Sequence, residues 1–137
     1  MPGTISTEQA LIYTMVTMSG VEGKINAIEL AEIRQLVLTL PVFRNFDENR
    51  LLMVAQEAGE ILQDSEGLEA ILGLISRALA PRLRETAYAL AVEVAASDLA
   101  VGKEELRFLA MLRDALKLDK LVTAALERSA IARFQRD

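Results

Sequence analysis

Apolar residues recur at helical spacing along almost the whole chain, and nowhere do apolar and polar residues alternate as they do in a half-buried strand. The pattern predicts seven helices. The first runs from about Thr7 to Met18, opened by Ser6 with Gln9 three residues on, a capping-box pair. The second begins near Asn26, turns Ile28, Ile33, Leu36, Val37 and Leu40 to one face, and ends at Pro41. Asp47 caps a third with Leu51, Val54, Ala55, Ala58, Ile61 and Leu62 inward, and Asp64 or Ser65 caps a fourth with Leu68, Ile71, Leu72 and Ile75. Pro81 suits the first position of a fifth, which carries Leu83, Ala87, Leu90, Ala91 and Val94. Gly102 opens a sixth with Leu106, Leu109, Leu112 and Leu116, and Asp119 caps a seventh that ends in Arg133, Arg136 and Asp137. Short connections between helices of three to four turns predict an all-α bundle or orthogonal array. No linker or low-complexity stretch divides residues 1–137, so one domain is expected.

Composition narrows the chemistry. The 137 residues include no Cys, His or Trp. A thiolate zinc site, an imidazole ligand, a Cys nucleophile and a Ser–His–Asp triad are all excluded. Only carboxylates, Lys, Arg, Tyr and hydroxyls remain, and no nucleophile–base arrangement can be assembled from them, so a non-enzymatic role is expected. Aromatic residues are few, so the core must be mostly Leu, Ile, Val and Ala. Ala87, Ala91 and Ala95 allow close helix approach. Met15, Met18 and Met53 read as core filler, and Phe43 and Phe46 as a loop plugging the core.

The net charge is −5, unevenly placed. Residues 1–70 hold 4 basic and 11 acidic groups, and residues 71–137 hold 11 basic and 9 acidic. An acidic chain repels a phosphate backbone, which disfavours nucleic acid as a partner. Arg82, Arg84, Arg128, Arg133 and Arg136 read as solvated faces and helix-end charges. The N-terminal Met1-Pro2-Gly3-Thr4 lacks the basic start and apolar run of a signal peptide, and the longest charge-free stretch, Gln9 to Val21, is too short to cross a bilayer. A cytoplasmic chain that is not itself transmembrane is expected; its oligomeric state is open.

One internal repeat stands out. Val21–Leu30 and Ser97–Leu106 match at an offset of 76 residues. Each copy has an acid, an aliphatic three residues on, a turn residue four on, a second acid seven on and a leucine eight on. Each lies between two helices, so a pseudo-twofold pairing of the halves is expected. Within one straight helix, residues seven apart are about 10.5 Å apart along the axis. Glu22 and Glu29, or Asp98 and Glu105, can therefore share an ion only where the chain folds back between them, as Gly20, Gly23, Asn26 and Gly102 permit. All-oxygen ligation selects Ca²⁺, Mg²⁺ or Mn²⁺. The same residues also read as plain helix starts, with Asn26 as cap and Glu29 reaching back, and Gly102 to Glu105 as the counterpart. Glu93, one turn before Asp98, is either a further ligand or a solvated helix residue.

These paired segments resemble the acidic loops of the TerB-like family of tellurite-resistance domains, in which Asp-Gly-x-aliphatic-x-x-x-Glu occurs twice between helices. Here the copies read Glu22-Gly23-Lys24-Ile25-Asn26-Ala27-Ile28-Glu29 and Asp98-Leu99-Ala100-Val101-Gly102-Lys103-Glu104-Glu105. Glu22 stands where the family has Asp, and Leu99 where it has Gly. The resemblance implies an all-α fold, a divalent cation held by Glu22, Glu29, Asp98 and Glu105, and a role in tellurite resistance and stress response. It also implies a membrane-protein partner of the TerC type and a location at the cytoplasmic side of the inner membrane. The alternative is a metal-free helical protein–protein interaction module.

Overall fold

The computed structural model describes residues 4–20, 25, 27–97 and 101–137. Among them are seven α-helices and no strand: α1 (Thr7–Gly20), α2 (Ala27–Thr39), α3 (Leu51–Leu62), α4 (Gly67–Ala78), α5 (Pro81–Ala96), α6 (Lys103–Ala115) and α7 (Lys120–Arg133).

Helix ends follow local chemistry. Ser6 and Gln9 close the expected box: the Gln9 N–H donates to Ser6 Oγ at 3.1 Å, and the Ser6 N–H to Gln9 Oε1 at 2.8 Å. Pro41 ends α2 and starts a single 3₁₀ turn, Pro41–Phe43. Asp47 accepts from the Asn49 N–H at 3.0 Å and so caps a second 3₁₀ turn, Glu48–Arg50, which runs on into α3. Asp64 does not cap α4 directly. It takes the Glu66 N–H at 3.1 Å in the corner just before the helix. That corner is tight, because a Cβ on Gly67 would come within 2.0 Å of the Ile61 carbonyl oxygen. Asp119 caps α7 through the Leu121 N–H at 2.7 Å.

The centre of the molecule is α1. Every residue from Ala10 to Ser19 is buried, because α2, α3, α4, α5 and α6 all pack on it. Two of its threonines bond locally: Thr14 Oγ1 donates to the Ala10 carbonyl at 2.8 Å and Thr17 Oγ1 to that of Tyr13 at 2.7 Å. The closest partner is α5, whose Ala87, Ala91 and Ala95 are buried as the alanine face requires. In turn α5 carries α6 and α7 on its other sides. Phe43 is buried and meets Phe46 edge-on at 6.1 Å, so the loop does plug the core.

Four expectations fail at single residues. Ile28 is 66% and Leu106 57% exposed, although both sit in apolar-periodic stretches. They are the second and fourth residues of α2 and α6, at the ends of the bundle where no helix crosses over them. Met53 is 47% exposed rather than core filler. Arg84 is not a solvated charge: it spans from α5 to the Ser76 carbonyl at 3.0 Å and the Leu116 carbonyl at 3.3 Å, tying down the ends of two helices.

Candidate functional site

Both repeat copies deliver a glutamate to the third position of a helix, Glu29 in α2 and Glu105 in α6. Acids favour a first helical turn because the helix dipole and free N–H groups favour negative charge there. Burial is a different matter: Glu29 is only 6% and Glu105 5% exposed. A carboxylate taken out of water must be compensated by hydrogen bonds or by charge. For Glu105 the Gly102 N–H supplies one bond to Oε1 at 2.8 Å, which is the capping contact foreseen at that position. The first acids of each pair, Glu22 and Asp98, and the cap Asn26 lie outside the described residues.

Described residues beside or within the two repeat segments share a cleft. Gly20, the last residue of α1 before the first loop, and Glu104, the neighbour of Glu105 after the second, line a single cleft of about 350 Å³. Asp64 and Ser65 from the α3–α4 corner line it too, and Arg107 from α6 is the one cation among the described residues that line it. The sequence offered Asp64 only as a cap; that it lines this cleft is a consequence of α3 and α6 both packing against α1. Among the described residues no three acidic side chains stand close enough to hold an ion. The acidic residues that line this cleft are Asp64 and Glu104, while Glu29 and Glu105 are not among its lining.

Glu93 is half-buried and ion-paired rather than a solvated helix residue. Both of its oxygens are taken by Arg133 of α7, at 3.0 and 2.5 Å, in a two-pronged pair. Glu32 faces the same pair: burial first, and the Glu93 charge second, push its carboxyl above the usual range, against the pull of Arg133. On either side of the core a buried tyrosine meets a glutamate. Tyr13 donates to Glu57 at 3.4 Å, and Tyr88 makes a short bond to Glu127. Burial, followed by the neighbouring carboxylate, raises both phenols, so neither is primed to ionise.

The sequence pattern of the family described as tellurite resistance protein TerB matches residues 8–128, and the chain belongs to that family. No curated protein sequence and no solved structure matches it.

Proposed function

For this member of the TerB family, we propose a non-enzymatic role in tellurite resistance and stress response in which a divalent cation, bound by Glu22, Glu29, Asp98 and Glu105, clamps the two halves. The observation that carries the reading is the pair of buried glutamates, Glu29 and Glu105, at the same position of matched helices. The cleft lined by both Gly20 and Glu104 supports it, since Gly20 adjoins the first repeat segment and Glu104 lies within the second. The packing scheme supports a pseudo-twofold arrangement: α1 holds α2 and α3 as α5 holds α6 and α7, while α1 touches α6 and α5 touches α2. When bound, the cation would supply positive charge to the carboxylates. Glu29 and Glu105 would hold it from the rigid helix side, and Glu22 and Asp98 from the loop side.

Thermal melting in chelator and in Ca²⁺, Mg²⁺ or Mn²⁺ tests this. At a hundred times its dissociation constant an ion stabilises the folded chain by about 2.7 kcal/mol. Glu29→Gln and Glu105→Gln separate the cation from simple capping, because Gln also completes a capping box. Under the proposal both variants melt normally in chelator and lose the ion-dependent rise. Identical melting of the wild-type chain with and without every ion overturns the cation and leaves the metal-free interaction module. That no helix among the described residues is long and apolar enough to cross a membrane accords with a peripheral partner of a membrane protein. A partner of the TerC type is part of this proposal, tested by co-purification from membranes in matched chelator and cation buffers.

A further inference from the structure

Helix α7 packs chiefly on α5 and keeps one side to solvent. Nine of its fourteen residues are exposed. A surface helix ordinarily turns its charged residues outward and its apolar ones to the core. The outer side of α7 departs from that rule. Five of the nine are apolar: Leu121, Ala124, Ala125, Ile131 and Ala132. Three are basic, Lys120, Arg128 and Arg133, and none is acidic. Leu121 at 81% and Ile131 at 49% are large side chains left in water. Leu121, Ala125, Arg128 and Ala132 fall in one stripe at helical spacing, with Lys120, Ala124 and Ile131 in the stripe beside it. Apolar and basic residues therefore share one continuous face.

The cations here are uncommitted. Lys117, in the turn before α7, Lys120 and Arg128 on it, and Arg136 just beyond it are all exposed. Among the described residues none of the four takes part in an ion pair. The nearby acids serve the fold. Glu127 accepts the Tyr88 hydroxyl on the inner side, and Asp119 caps the helix through the Leu121 N–H, which leaves Asp137 beyond the helix. Helix α2 also exposes large apolar residues, Ile28 and Leu38, but its one cation, Arg34, is paired with Glu48.

An apolar face whose only charges are positive matches the boundary between lipid headgroups and acyl chains. Alkyl side chains enter it, while Lys and Arg reach back to phosphate. Leu121 and Ile131 stand about 15 Å apart along the axis, with only alanines, Arg128 and Ser129 exposed between them. A fluid surface closes around such separate side chains, whereas a folded partner binds through a central cluster. The net charge of −5 repels an anionic surface from the molecule at large, so docking is confined to its basic side. We infer that α7 lies flat on an anionic lipid surface, with Leu121 and Ile131 inserted and Lys117, Lys120, Arg128 and Arg136 against the headgroups. The inserted area is small, so the attachment is reversible. It requires neither a divalent cation nor a protein partner.

Flotation of the full chain with protein-free vesicles, in chelator, tests this. The vesicles are phosphatidylcholine alone or phosphatidylcholine mixed with phosphatidylserine. The wild-type chain is expected to float with the mixed vesicles only, and to be released by added salt. Arg128→Glu is expected to weaken binding by about tenfold or more. Leu121→Ser and Ile131→Ser are each expected to weaken it by about tenfold. All three sites are exposed, and far-ultraviolet dichroism checks that the fold is kept. Arg44→Glu makes the same change of net charge between α2 and α3 and is expected to float as the wild-type chain does. A wild-type chain that stays free of both vesicles overturns the inference, as does an equal loss in Arg128→Glu and Arg44→Glu. Binding to polyglutamate but not to the mixed vesicles also overturns it, and gives the face to an acidic protein instead.

Discussion

At the scale of single residues, the buried polar contacts carry the sharpest expectations. Tyr88 is 1% exposed and its hydroxyl is committed to Glu127. Replacing it with Phe keeps the ring in place and deletes one hydrogen bond between α5 and α7, a loss of about 1–3 kcal/mol measurable by urea unfolding. Gly59→Ala goes the other way. With nothing within 4 Å of the added methyl, it is expected to raise stability by about 0.5–1 kcal/mol through backbone entropy and helix propensity alone. Glu32 makes the chain pH-dependent. Its carboxyl is raised above 4.5 in the folded state, first by burial and then by Glu93, so the native state binds its proton more tightly than the unfolded chain does. The stabilisation this group provides is complete below the unfolded value and disappears as pH rises through the folded one. Glu32→Gln is therefore expected to flatten the stability profile upward from pH 4.5, read by melts at constant ionic strength.

At the scale of elements, the α3–α4 corner is the least forgiving place. Gly67→Ala forces a methyl against the Ile61 carbonyl, and the corner must open by sliding one helix on the other. A loss of about 1–3 kcal/mol is expected, as for other overpacked sites, with calorimetry as the check. Helix existence, type and approximate ends were legible in the sequence, since capping residues and proline act through bonds within a few positions: Ser6, Pro41, Pro81 and Asp119 all behave as local chemistry dictates. What was not legible depends on which helix crosses which. Ile28 and Leu106 fit the apolar period but sit where no neighbour covers them. Arg84 looked like a surface charge, yet it is enlisted by two helix ends that are remote in sequence. The burial of Glu29 and Glu105 was equally hidden, because an acid in a first turn reads the same whether or not the bundle closes around it.

At the scale of the whole molecule, the two acid-bearing segments are visible as spacing in the sequence, whereas the packing of the helices around them is not. Helices α2 and α3 pack on α1, and α6 and α7 pack on α5. Net charge follows the same division, acidic before residue 70 and slightly basic after it. Any self-association of a chain so divided is expected to be salt-sensitive: raising ionic strength from low to about 0.15 M shortens the screening length to about 8 Å and weakens charge-driven contacts before it touches the fold. Light scattering and far-ultraviolet dichroism recorded side by side separate the two effects.

The enclosure of α1 has a consequence for how the molecule breathes. Every other helix has a side turned to water and can fray alone, whereas α1 is wrapped by five neighbours. Its peptide hydrogens can reach solvent only when the entire assembly comes apart. Deuterium uptake should be slowest between Ala10 and Ser19, and the protection there should equal the full unfolding free energy, making this one segment an internal gauge of global stability.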